Sequence, residues 1–544
     1  MKRRWLCLFL CALLVLSVFT GCQKQQTEEE IAETAKEASR DTMTLTMWLI
    51  TEEETTPEAV GLVEEAINKI LKAKYKTRVE LSVFTEDEYY EALDAKLIAI
   101  EEYLAEQDAI DEPEEDEDAP VTTEEETIKN EWGITEDKYP EVAGDQLDIL
   151  LITGHDNYLK YSDELGILER LDDQLKAGSK KLNSYIDPEF FSALSSMGGT
   201  YAIPNRHVIG EYAYLLVNRE LADKYFYDPD KLTTLAACSE FIEEMAKKEP
   251  EYATIKQLDY PLYTTYWSLN GERSLLASVG NSSMAESTYL SMRNALTYSR
   301  YTDQIKSLVE YNEKGYIAAD PSTVDKFAVA VVKGGADLEK VYGEDYYMSV
   351  LQAPMATQDE MFEAMFGITY YTKDIARSME VITLLNTDPT LRNLLQYGIE
   401  GVHYMLDEET GALKRLNNDY MMDLVKTGNV FMAYPEEGQP LDIWEYGKKQ
   451  NLDAVASPFN GFSFYDSGLD EELMKRIDEL SKSYFERLDA CTTLAELNAF
   501  LDAAKDELKD NEDLKKATST TEEGSPNAIY TDWYYVKYPP IDEE

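Results

Sequence analysis

Three histidines, His155, His207 and His403, are the only imidazoles in this chain of 544 residues, and their spacing limits the chemistry open to it. None sits three or four positions from another, so no helix face carries the paired ligands of a zinc site, and no metal is expected. No Gly-x-Ser-x-Gly elbow presents a nucleophile. There is neither a phosphate-cradling Walker loop nor the glycine fingerprint of a dinucleotide fold. Carboxylates are the opposite case: with 106 Asp and Glu residues chance pairs are everywhere, so the two acids of a glycosidase would leave no motif to find. Of the five cysteines, Cys7, Cys11 and Cys22 fall near the start, leaving Cys238 and Cys491. These two permit one disulfide but no disulfide framework, and two lone buried thiols are the preferred reading. Catalysis therefore finds no positive signal, and no cofactor is expected.

Charge narrows the ligand classes. A net charge of −55 repels nucleic acid and anionic lipid and favours uncharged or cationic ligands. A hydrophobic fraction of 44% permits a sizeable core, and the length suits three to four average domains or two large lobes with insertions.

The elements that must position any site read as alternating strand and helix. Leu45 to Ile50 is a buried strand, and Pro57 opens a helical pattern through Val60, Val63, Ala66, Ile67, Ile70 and Leu71. Arg78 to Phe84 alternates as a second strand, Glu86 to Ala105 is helical, and Asp148 to Thr153 is a third, fully buried strand. That order predicts a parallel sheet covered on both faces. Tyr201 to Pro204 and Tyr212 to Asn218 are extended, followed by helices near Arg219 to Phe226 and Glu240 to Lys247. Lys326 to Val332, Tyr346 to Gln352 and Phe366 to Tyr371 are further strands, and Asp374 to Leu385 is a helix. Glu471 to Phe485 and Leu494 to Leu508 are amphipathic, making the C-terminal region mainly helical. The aromatic density of Ile529 to Tyr538 predicts docking onto the body. Asp111 to Glu126 holds ten acids and no base, interrupted by Pro113 and Pro120. It lacks the glycine turn and ligand spacing of a calcium loop and reads as a solvated insertion.

The N-terminus gives an address. Trp5 to Phe19, apolar except for Ser17 and preceded by Lys2-Arg3-Arg4, is too short for a membrane span and suits a signal-peptide core. Phe19-Thr20-Gly21-Cys22 resembles the lipobox of bacterial lipoproteins. The resemblance implies loss of residues 1–21, a diacylglycerol on the Cys22 sulfur, and a chain of charge −58 tethered to the outer face of the cell membrane. An ordinary secretory signal cleaved elsewhere is the alternative.

Four further places, taken in order behind the lipobox, resemble the extracellular solute-binding proteins (family 1) of bacterial carbohydrate ABC importers, the maltodextrin-binding-protein-like group. They are Leu45-Thr-Met-Trp-Leu-Ile50; Asp148 to Leu171 with its Gly154-His155-Asp156 loop; Gly199 to Pro204 followed by Glu211 to Asn218; and Tyr397-Gly-Ile-Glu-Gly-Val-His-Tyr404. In that family the aspartate of the loop holds sugar hydroxyls, and Glu211 falls where maltodextrin binders have a sugar-contacting glutamate. The acidic insertion has no counterpart there. The loop Thr51-Glu52-Glu53-Glu54 also replaces an amide-rich one, with Glu52 standing in for an acid.

A sugar presents hydroxyls at its edge and apolar C–H faces, so its cleft needs carboxylates and amides together with aromatic plates. Trp48 and Asp156, at the ends of strands 1 and 3, would emerge on one carboxyl edge of a parallel sheet, where such folds bind ligands. Asn205 and Glu211 would arrive at the lobe junction, with Tyr260, Tyr263, Tyr266 and Trp267 facing them from the second lobe and Trp444 an outlying candidate. Each has a structural alternative: core packing for Trp48, a helix cap for Asp156, a pair with Arg206 or Arg219 for Glu211, and a packed side chain for His155, His403 and Trp444.

The resemblance thus implies an α/β, two-lobe periplasmic-binding-protein-like (type II) fold with an interlobe cleft, about three crossings, added C-terminal helices and a mainly parallel sheet in each lobe. The expected boundaries are a signal peptide at 1–21, a tether at 22–43, lobe 1 at 44–217 with 364–430 (acidic insertion 108–130), and lobe 2 with the C-terminal helices at 218–363 with 431–544. The expected ligand contacts are Trp48, Glu52, His155, Asp156, Asn205, Glu211, Tyr263, Tyr266 and Trp267, with lipidation at Cys22. The expected function is capture of a sugar or oligosaccharide for an ABC permease, without catalysis and without nucleic acid. The alternatives are a peptide or cationic-ligand binder and a surface-anchored glycoside hydrolase or glycan adhesin.

Overall fold

The structure is a computed structural model that describes residues 41–110, 139–178, 182, 185–195, 198–258, 267–268, 273–278, 292–457, 459–465 and 467–537. The lipobox with Cys22, the tether through residue 40, the run Asp111 to Glu126, Tyr260, Tyr263, Tyr266 and Tyr538 lie outside them. The strands in chain order are β1 (Met43–Thr51), β2 (Thr77–Thr85), β3 (Ile149–Ile152), β4 (Ala202–Pro204), β5 (Tyr212–Asn218), β6 (Ala253–Leu258), β7 (Trp267–Ser268), β8 (Leu276–Ser278), β9 (Arg293–Asn294), β10 (Phe327–Gly334), β11 (Tyr346–Gln352), β12 (Met355–Ala356), β13 (Met365–Ile368), β14 (Tyr404–Leu406), β15 (Leu413–Arg415) and β16 (Val455–Ala456).

Two sheets organise the two lobes. The first has the order β2-β1-β3-β13-β4 and the second β11-β5-β10-β6. In the first, β1 runs parallel to both β2 and β3, while β13 is antiparallel to β3 and β4. In the second, β5 is antiparallel to β10 and β11, and only β10 and β6 pair in parallel. The mainly parallel pairing expected for both lobes is therefore corrected to mixed pairing, and the reason is topological. Each sheet contains one strand delivered from the other lobe, β13 in the first and β5 in the second. A strand entering from the hinge runs away from it, whereas its neighbours run toward it. The carboxyl ends of β1, β2, β3 and β4, and those of β6, β10 and β11, consequently face the crossings.

Local sequence accounts for the frame. All seven central residues of β1 are buried, as its apolar run requires. The helix Pro57–Tyr75 starts at Thr56, whose side chain accepts from the Ala59 amide, with proline in the first turn where no donor is lost. Asn68 on that helix donates to the Val79 carbonyl at 2.8 Å and accepts its amide at 2.7 Å, fastening helix to β2. Asp148, fully buried, accepts from the Thr46 amide and hydroxyl, the Gln146 amide group, the Thr372 hydroxyl and the Lys373 amide. One carboxylate thus joins the starts of β1 and β3 to the segment after β13.

Lobe boundaries shift from those expected. Tyr212 to Val217 lie in the second sheet, because β5 takes its backbone partners from β10 and β11. Ala356, Met361 and Phe362 belong to the first core. The first crossing is thus residues 205–211 and the second begins at 353. The third runs from Met422, in the first core, to the helix Ile443–Asp453, where Tyr446 packs on the second-lobe sheet. The helices Glu471–Asp489, Leu494–Lys509, Glu512–Ala517 and Pro526–Lys537 share a separate core with Leu275, Leu276, Tyr301 and Ile305. Tyr530 and Tyr534 are buried there, so the aromatic C-terminal segment docks as its composition predicts. Cys238 and Cys491 are both free: Cys238 is buried in the second-lobe core, with its thiol pushed up to about 12 by burial, and Cys491 is half-buried. Among the described residues no helix is long and apolar enough to cross a membrane.

Candidate functional site

The first-lobe wall of the cleft is the edge at which Thr51, Thr85, Ile152 and Pro204 end their strands. Trp48 does not reach it. β1 continues three residues beyond, and the indole is 8% exposed, stacked on Phe84 at 4.9 Å and edge-on to Tyr89 at 6.5 Å. Trp48 is a core residue, and Glu52 is the exposed side chain just past the strand end. The Glu52 amide donates to the Met421 carbonyl at 3.1 Å, and Thr51 and Thr55 hydroxyls bond the same oxygen. The acidic loop is thereby held against residues 419–421 while its carboxylates stay in solvent.

The loop after β3 divides its two candidates. Gly154 caps the helix His155–Leu159, and its amide donates to the Phe362 carbonyl at 2.7 Å. His155 turns inward, 8% exposed, with its ring 4.4 Å from that of Phe362. The Gln358 amide nitrogen lies 2.8 Å from Nδ1 and can only donate, so the imidazole accepts there. Burial pushes its pKa down to about 4, with Lys537 adding to the effect and Asp156 opposing it. His155 is a structural histidine. Asp156 points outward, exposed in the first helical turn, and makes no cap.

At the hinge, Asn205 is fully buried, and its side-chain amide donates to the Val425 carbonyl at 2.9 Å, tying the first crossing to the third. It braces the junction and does not line its surface. Glu211 is exposed and pairs with neither arginine expected for it. Arg206 instead forms a two-pronged contact with Asp187 at 3.0 Å, and Arg219 lies over the Tyr347 ring and bonds the Gly343 and Glu344 carbonyls. Gly210 has a φ of +51°, and a Cβ there would come within 3.0 Å of the Met355 backbone, so the close approach of two crossings needs glycine. A cavity of about 140 Å³ opens beside Glu211, lined also by Tyr212, Lys333, Gln352 and Met355. This is smaller than the roughly 300–1,000 Å³ of a typical small-molecule site.

Of the second-lobe candidates, Tyr263 and Tyr266 are outside the described residues. Trp267 is in β7, opposite Ser278. The remaining candidates are structural. His403 is buried, accepts the Ile399 amide at 3.0 Å and stacks on Tyr420, filling the space that Gly398 leaves for it. Trp444 donates to the Ala433 carbonyl at 2.6 Å.

One cluster escapes any reading by sequence spacing. His207, 3% exposed on the first crossing, has Nε2 3.1 Å from Glu363 and 3.5 Å from Glu360, both from the segment leading into β13. Burial would lower the histidine pKa, but the two carboxylates and the Asn205 carbonyl outweigh it and hold it above the ordinary value. Burial likewise raises that of Glu363. More than 150 positions separate the histidine from the two acids, and the strand pairing of β13 with β4 brings them together.

No family model matches the chain. A carbohydrate ABC transporter substrate-binding protein of Streptococcus pneumoniae is 24% identical over 358 residues, covering 61% of this chain and 70% of that one. The crystal structure of an N-glycan transport solute-binding protein (NgtS), also from Streptococcus pneumoniae, superposes with a TM-score of 0.54 at 19% identity, covering 91% of this chain and 99% of that one. At that identity the superposition establishes the two-lobe fold.

Proposed function

We propose that this chain, an extracellular solute-binding protein of the family 1 type, captures a sugar or oligosaccharide between its lobes and delivers it to an ABC permease. The observation that carries this reading is the sequence likeness, over 358 residues, to a carbohydrate ABC transporter substrate-binding protein. The geometry supports it. Glu52 and Asp156 are exposed carboxylates beyond the carboxyl ends of β1 and β3, and Glu211 is an exposed carboxylate on the first crossing, all suited to paired hydroxyls. In this reading Trp48, His155 and Asn205 hold the wall in place and do not touch ligand.

Ligand touching both lobes binds the closed form better than the open one, and that difference in affinity shifts the population toward closure. The closed surface is what a permease would read. No bond is made or broken. A lipid on Cys22 would keep the cleft near the membrane, in keeping with the lipobox-like Phe19 to Cys22. The charge of −55 supports one other reading, a peptide or cationic-ligand binder. A thermal-shift panel separates the two: stabilisation by neutral oligosaccharides supports sugar capture, whereas silence across sugars with a response to peptides or polyamines overturns it.

A further inference from the structure

The cluster at the hinge is more than a salt bridge. His207 Nδ1 lies 3.1 Å from the Asn205 carbonyl, which can only accept, so Nδ1 carries the ring proton. In the neutral imidazole that leaves the Nε2 lone pair buried 3.1 Å from a Glu363 oxygen and 3.5 Å from a Glu360 oxygen. Nε2 is buried and makes no hydrogen bond, and the Phe190 ring packs edge-on at 5.2 Å, fixing the imidazole plane. In that form three electron-rich atoms, all within 4.8 Å of one another, lie together with no hydrogen between them. A positive charge must sit among them, either a second proton or a cation.

The spacing is compatible with a shared ion. Ligands about 2.1 Å from a tetrahedral zinc ion stand roughly 3.4 Å apart, and His207 Nε2 stands 3.1 and 3.5 Å from the two carboxylate oxygens. One imidazole with two carboxylates is a donor set for zinc and similar ions, and the carbonyl on the far ring nitrogen is the usual outer support of a metal-bound histidine. Access exists because the Glu363 side chain is 48% exposed while His207 is 4% exposed. We propose that His207, Glu360 and Glu363 form a divalent transition-metal site, zinc by its donor set, that clamps the first crossing to the segment entering β13. Its place at the root of two crossings makes the ion a brace for the hinge, independent of which ligand the cleft takes.

The purified protein, stripped with a chelator and titrated with zinc chloride, tests this. The expected result is uptake of one equivalent with a rise in melting temperature, and at least tenfold weaker uptake in Glu363→Gln and in Glu360→Gln. Both variants change partly exposed side chains, so circular dichroism should show an unchanged fold. Absence of stoichiometric uptake, or uptake indifferent to both substitutions, would overturn the site. So would acidification alone reproducing the stabilisation in protein that takes up no metal.

Discussion

His155 and Asp156 are neighbours with opposite fates, and each makes a prediction at the scale of a single side chain. The buried imidazole titrates near 4, below its ordinary 6.5. Between those values the unfolded chain binds a proton that the folded chain does not, so stability falls as pH drops through that window. At about 1.4 kcal/mol per pKa unit the loss is roughly 3 kcal/mol, and it should shrink in His155→Gln, as read by denaturant melts from pH 7 to 4. Asp148, accepting five hydrogen bonds in the interior, should cost about 3–5 kcal/mol on replacement by alanine. The outward aspartate was legible in the sequence because a loop after a buried strand must deliver it to the sheet edge. Trp48 was not, because an apolar strand gives no sign of where it ends, and three more residues of β1 carry the edge past the indole.

At the scale of elements the crossings decide behaviour. Asn451, on the helix Ile443–Asp453, donates to Asp187 and to the His207 carbonyl and accepts the Ile209 amide, all within 2.8–3.0 Å. Asn451→Ala should lower stability by about 2–3 kcal/mol and speed hydrogen exchange at the Ile209 amide. Gly210→Ala should cost about 1–3 kcal/mol, through its positive φ and the Met355 backbone facing it. Strand and helix periodicity locates nearly every such element. It does not reveal which sheet β5 joins, since its alternatives are equally apolar and the choice is made by pairing with β10 and β11. The His207 cluster is hidden for the same reason: its members meet only after β13 has crossed back beside β4.

At the scale of the molecule, two lobes and a helical C-terminal unit form a clamp with its strand ends turned inward. Substituting Cys22 by alanine should release the protein from membranes into the medium, read by fractionation, while its ligand affinity stays the same. Lost affinity in the released protein would contradict the separation of anchor from cleft. In the proposed function, exposed acids of the first lobe and of the first crossing together hold one neutral glycan. Calorimetric titration of the wild-type chain and of the Asp156→Ala, Glu211→Ala double variant with neutral oligosaccharides tests it most directly. A saturable one-to-one heat in the wild type, weakened at least tenfold in a double variant of unchanged melting temperature, is the predicted result. Equal affinity in the two proteins, or no heat from any glycan, would contradict it.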